Sequence, residues 1–90
     1  MKFGLMLPNK GHSYGDANLL VELALCAEQA GWEGFFLWDH IGGSGDWPTM
    51  DPLISLGAIA SQTQTMRLGT MVTPLSRRRP WKVAREIVTL

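Results

Sequence analysis

A single cysteine, Cys26, stands in the 90 residues. An intrachain disulfide and a cysteine-based zinc cluster are therefore both excluded. Neither sign of charge is in excess: Lys and Arg number 8, as do Asp and Glu. Bulk electrostatics thus ask for no polyanionic partner. No apolar run approaches the roughly 20 residues that span a bilayer, so no membrane partner is expected. The start, Met1 to Pro8, is briefly apolar but lacks a small-residue cleavage site, and a secretory signal is not expected. There is no internal repeat and no low-complexity tract. With apolar residues at 46% and charged residues at 18%, the composition is that of an ordinary globular domain. A cytoplasmic setting is the default expectation.

What is present is alternation. Residues 2–7 read as a short buried strand ended by Pro8. Residues 8–16 carry the Pro, Asn, Gly and Ser of a loop. Asp16 is a natural N-cap for a helix over about 17–30. Its apolar positions Leu20, Leu23, Ala24, Ala27 and Ala30 keep the spacing of one face, and Gly31 supplies the stop. Cys26 is expected to pack as a buried thiol on that helix. Residues 34–38 (Gly-Phe-Phe-Leu-Trp) form a second strand, whose lack of alternation suits burial on both faces. A glycine-rich loop over 39–50 follows, in which Gly42-Gly43-Ser44-Gly45 reads as a flexible element. It is not a dinucleotide fingerprint, because it opens no helix directly after a strand. Asp51-Pro52 opens a second helix, with Leu53, Leu56, Gly57 and Ala60 on one face and Ile59 beside them. Residues 66–72 read as a third strand and Thr73 to Arg79 as a loop. Pro80 opens a third helix with Val83, Ala84, Ile87 and Val88 apolar.

Strands alternating with helices imply an α/β fold with parallel pairing through right-handed crossovers. Two closures satisfy the pattern, an open doubly wound sheet and a (β/α)8 TIM barrel, and periodicity does not choose between them. A whole barrel takes about 250 residues, so this length corresponds to roughly its first three βα units. The chain stops at Ile87-Val88-Thr89-Leu90, inside an apolar-periodic segment with no cap. The expectation is an incomplete barrel, with residues 1–90 the N-terminal portion of one domain.

In parallel α/β folds, ligands bind beyond the carboxyl ends of the strands. The second strand ends in Trp38-Asp39-His40, where an imidazole beside a carboxylate can move a proton near neutral pH. Asp39 as a turn cap and His40 as a plain loop residue fit that position equally. In the third strand, Gly69 before Thr70-Met71-Val72-Thr73-Pro74 marks a bulge, a close approach or a packing glycine. Met71 and Val72 fit the core as well as a site. Arg77-Arg78-Arg79 precede the Pro80 helix, where guanidiniums beside a helix N-terminus can hold an anion. A solvated loop or a subunit contact is the alternative reading. The trio has no interleaved aromatics, so nucleic acid is not an expected partner. Asp46 and Asp51 make no convincing catalytic pair, Asp51 serving better as a cap. His12 lies in the first loop without further support. The histidines and acids lack the spacing of a common metal motif, and no metal is expected.

Taken together and in order, these segments resemble the N-terminal region of the luciferase-like monooxygenase family. They are Gly4-Leu5-Met6-Leu7-Pro8, then Ala27 through His40, then Asp51-Pro52-Leu53, then Arg67 through Pro74, then Arg77-Arg78-Arg79-Pro80. The family comprises flavin- and deazaflavin-dependent oxidoreductases and includes the bacterial luciferase subunits. The resemblance covers essentially the whole chain and rests on order and spacing. It implies a (β/α)8 barrel with the flavin across its carboxyl-terminal mouth, acting on a small organic substrate. It implies a third-strand bulge with a cis non-proline peptide behind the flavin ring, at Thr70, Met71 and Val72 with Thr73 adjoining, as the cofactor-binding residues. It implies that Asp39 and His40 lie near the reactive ring, with His40 as the proton-transfer candidate. FMN and a deazaflavin coenzyme of the F-420 type both remain open, and a homo-oligomer is expected. Two other readings stand beside this one. One is a non-catalytic barrel fragment that persists only by self-association. The other is an unrelated phosphate-binding α/β barrel, which the arginine-rich helix opening permits.

Overall fold

A computed structural model describes residues 1–42 and 45–90. Gly43 and Ser44 lie outside the described residues, and so does the flexibility read from the glycine-rich stretch. The elements alternate as β1 (Gly4–Leu7), α1 (Ala17–Gln29), β2 (Gly34–Leu37), α2 (Pro52–Ala60), β3 (Arg67–Thr70), a short 3-10 turn (Leu75–Arg77) and α3 (Pro80–Thr89). Each helix begins where the sequence punctuates it. Asp16 caps α1, its Oδ1 accepting from the Asn18 N–H at 2.9 Å. Asp51 caps α2, its Oδ1 accepting from the Ile54 N–H at 3.0 Å, with Pro52 at the first helical position. Gly31, at φ +88°, takes the left-handed conformation just past the end of α1.

The strands are shorter than expected. Pro8 brings no N–H to a ladder, and the pairing frays rather than stops: Trp38 N–H still donates to Leu7 C=O at 3.0 Å, and Met71 N–H to Leu37 C=O at 2.9 Å. The sheet has the order β1-β2-β3, both pairs parallel. Its register separates two faces. Leu5, Phe35 and Leu68 share one face with Leu7, Leu37 and Thr70; Met6, Phe36 and Gly69 align on the other.

The core lies on the first of these faces. Leu20, Ala24 and Ala27 of α1 and Leu53, Leu56 and Ile59 of α2 pack with Phe35 and Leu37, and with the half-buried Leu5, Leu7 and Leu68. The two helices therefore share one side of the sheet. On the opposite face the Phe36 ring lies against glycines of all three strands. A Cβ at Gly34 or Gly4 would come within 2.8 Å or 2.9 Å of that ring, so bare backbone is what lets it lie flat.

Three expectations about helix faces are corrected. The buried side of α2 is Pro52, Leu53, Ser55, Leu56 and Ile59, leaving Gly57 exposed and Ala60 half-buried. The face turns toward Ser55 because its hydroxyl donates to the Asp51 carbonyl at 2.9 Å and can enter the core satisfied. Cys26 is exposed, not packed. At about 100° per residue it falls outside the arc that Leu20, Ala24 and Ala27 bury. On α3 only Val83 is buried, while Ala84, Ile87 and Val88 are exposed.

One long-range tie is invisible to local pattern. The Glu28 carboxylate, near the end of α1, fills a nest of three consecutive main-chain N–H groups before β3. It accepts from Gln64 at 3.0 Å, Thr65 at 2.7 Å and Met66 at 3.0 Å, and from the Thr65 hydroxyl at 3.2 Å. These bonds, the Thr65 N–H first, hold the carboxyl below its ordinary value. A lowered folded-state value means stability that is present above the ordinary glutamate range and is lost as pH falls through the folded value. Glu28→Gln should therefore lower the urea midpoint at pH 7. It should also shrink the loss of stability as the pH falls below the ordinary glutamate range; an unchanged acid limb would remove Glu28 from it. Cys26 gives a second check: the thiol should react with an aromatic disulfide reagent in native buffer as readily as it does in denaturant.

Candidate functional site

The carboxyl ends of β2 and β3 open side by side. Beyond β2 run Trp38, Asp39 and His40; beyond β3 run Met71 and Val72. Together with Ile41, Pro74 and Arg77 they line an open cavity of about 560 Å³. That volume falls within the few hundred to about 1,000 Å³ of small-molecule pockets. A second groove, of about 370 Å³, lies between α2 and α3, away from the strand ends. The first cavity is the one located where parallel sheets place their chemistry.

Its polar groups are held from behind. The Asp39 side chain is 3% exposed. Both its oxygens accept from Arg78, Oδ2 from Nε at 2.9 Å and Oδ1 from Nη2 at 2.8 Å. This is the bidentate geometry that a planar guanidinium offers a carboxylate. Arg77 adds Nη2 to the Asp39 carbonyl at 2.5 Å and lies 3.7 Å from Oδ1. Arg78 also reaches to 3.8 Å from Asp51, the cap of α2. Hydrogen bonding to Asp39, before any other influence, raises the Arg78 guanidinium above its ordinary value. Asp39 is thus engaged as an anchor that draws the segment before α3 onto the end of β2.

His40 is different. Its imidazole is exposed at the cavity wall, 5.1 Å from the Trp38 ring centroid. Its main chain is fixed by Asn9, which is 0% exposed. Asn9 Nδ2 donates to the His40 carbonyl at 3.0 Å and to the Met50 carbonyl at 2.6 Å, while Oδ1 accepts from His40 N–H at 3.3 Å. The Met50 N–H in turn donates to the Asn9 carbonyl at 2.8 Å. A buried carboxamide left without such partners would cost about 1–3 kcal/mol. Sequence reading passed over Asn9, since an Asn after a strand-ending Pro is an ordinary turn residue.

The third-strand residues divide. Met71 and Val72 line the cavity, and the peptide bond between them is cis. Thr70 and Thr73 are half-buried, and their hydroxyls bond one another across the two residues they bracket. The arginine trio divides too: Arg77 and Arg78 hold Asp39, and Arg79 is exposed at the cap of α3 without a side-chain bond to it. His12 is exposed, 6.0 Å from the Trp47 ring in the second loop. Among the described residues, no helix is long and apolar enough to cross a membrane.

The family model described as luciferase-like monooxygenase matches residues 1–90. No curated protein and no solved structure matches the chain.

The anchor predicts its own failure mode. Arg78→Leu leaves a buried carboxylate without its main partner and should cost about 3–5 kcal/mol in denaturant unfolding. Arg78→Lys keeps the charge but not the two-pronged fit and should fall between the variant and the native chain. Equal stability of Arg78→Leu and the native protein would show that the pair holds nothing together.

Proposed function

This chain belongs to the luciferase-like monooxygenase family, whose members are oxidoreductases, and from that premise we propose that it forms one wall of a flavin site. The reading takes the three βα units as part of a (β/α)8 barrel. The placement of α1 and α2 on one side of the sheet supports it, because a barrel keeps its helices outside and its other face inside. The cofactor is FMN or a deazaflavin of the F-420 type, and the substrate is a small organic molecule.

The observation that carries the proposal is the lining of the cavity. A planar tricyclic ring needs apolar, aromatic surface with few polar groups to orient it. Trp38, Ile41, Met71, Val72 and Pro74 offer that surface, with Asp39, His40 and Arg77 as its polar members. Met71 and Val72 would support the ring, and the Thr70–Thr73 hydroxyl bond ties down the segment that carries them. When bound, the flavin supplies the hydride or oxygen chemistry. The chain's own contribution is placement and protonation. His40, exposed on the wall, would hand a proton to or take one from the reacting molecule. Asp39 is a positioning residue in this scheme, because its carboxylate is already shared with Arg78.

Titrating the protein with FMN and with the deazaflavin coenzyme, followed by absorbance and by sedimentation, tests the reading and distinguishes the cofactors. Saturable binding of one of them is expected; failure of both to bind would overturn it. In the active protein, His40→Ala should lower turnover by about 10²–10⁴-fold with cofactor binding little changed. Unaltered steady-state kinetics would take His40 out of the mechanism.

A further inference from the structure

We propose that Asn9 is the positioning residue for His40, extending the sheet by a side chain so that the imidazole is presented at a fixed place on the cavity wall. The role in turnover rests on the reading of His40 as the proton-transfer group. The geometry behind it involves His40 and Met50 alone.

The parallel ladder between β1 and β2 ends with the Trp38 N–H on the Leu7 carbonyl at 3.0 Å. Continued by two residues on each strand, the next bond would join the His40 N–H to the Asn9 carbonyl. That carbonyl is instead turned to the Met50 N–H at 2.8 Å. The Asn9 side chain takes the vacated role, with Oδ1 accepting from the His40 N–H at 3.3 Å. The same carboxamide donates to the His40 carbonyl at 3.0 Å. His40 is therefore held at both its main-chain groups, three residues beyond the last paired strand residue, as if still in the sheet.

The remaining N–H of the carboxamide donates to the Met50 carbonyl at 2.6 Å. One side chain thereby joins the end of β1, the segment after β2 and the residue before the α2 cap. The chemistry required is specific. Each carbonyl needs a donor and the His40 N–H needs an acceptor, at the reach of a single methylene. Asp would bring only acceptors when ionised, and Leu of similar size neither. The main chain of His40 is thus held from the buried side while its imidazole stands exposed at the cavity wall. Proton transfer needs its donor or acceptor placed by such supporting contacts.

The test is amide hydrogen exchange read by nuclear magnetic resonance, with the ring-current shift of Trp38 on the His40 imidazole as the local signature. In the native protein, the His40 and Met50 amides should be protected to within roughly tenfold of Phe35 and Leu37. Rapid exchange at either would overturn the proposal without any variant being made. In Asn9→Ala, the His40 amide, which loses its acceptor, should exchange roughly tenfold or more faster. Phe35 and Leu37 should keep their rates, and the His40 ring shift should move toward that of a free histidine. Asn9→Asp, which retains an acceptor for the His40 N–H, should move it less. Loosening spread evenly over the sheet, or no change at His40, would reduce Asn9 to a general core contact. FMN and the deazaflavin coenzyme, each titrated alone into the native and variant proteins, separate this from the flavin reading. Local loosening at His40 with no binding to either protein would sink the cofactor and keep the positioning. Binding with an unmoved His40 would do the reverse.

Discussion

A carboxylate taken out of water must be partnered, and Asp39 is the buried charge from which the site follows. Its position directly after β2 puts the charge under the cavity floor, where solvent cannot neutralise its cost. Arg78 answers it with both prongs of a guanidinium, and Arg77 adds its own contact through the Asp39 carbonyl. To reach there, the chain leaving β3 must fold back over the end of β2. That return carries Met71, Val72 and Pro74 to the cavity edge opposite Trp38 and His40. The wall of the cavity is thus a consequence of one ion pair closing a gap of 39 residues.

Legibility in the sequence divides along range. The three strands and three helices could be read because each is punctuated locally: Pro8 ends β1, Asp16 and Asp51 cap helices, Gly31 stops one, and Pro52 and Pro80 open two. The ties that assemble them could not. Asn9 to His40, Glu28 to the nest before β3, and Arg78 to Asp39 all join residues more than 30 positions apart. No spacing rule spans such distances. The same limit explains the arginine trio. Read locally, it fits a solvated loop, a subunit contact or an anion outside the chain, whereas two of the three side chains meet an anion within it. Helix faces fall between the two cases. Periodicity showed that α2 is amphipathic, but a hydroxyl with a local carbonyl to satisfy it moved the buried arc toward Ser55.

The candidate site was legible as positions and opaque as roles. Asp39 and His40 are neighbours in sequence and were paired in expectation as one acid–base unit. Their environments separate them. Asp39 is enclosed and ion-paired; His40 is exposed and anchored only through its main chain. Thr70, Met71, Val72 and Thr73 separate likewise into an outer pair bonded to each other and an inner pair at the cavity. Met71 and Val72 are adjacent yet both line the cavity, so the period of two that sorts side chains along a strand does not sort these. Beyond the strand ends, partners rather than pleat decide which residues are held and which face the cavity.

Those partners also decide what the wall can do. Around the strand ends, the charges of Asp39 and Asp51 are met by Arg77 and Arg78, so the fixed ionic groups cancel locally. What faces the cavity beyond them is apolar surface and one imidazole. A group that moves a proton there must be placed without adding a second charge beside it. A carboxamide holding the main chain meets that condition, since Asn9 fixes His40 through neutral hydrogen bonds alone. An ion pair does the same work one residue earlier, below the wall, where its charges are already balanced.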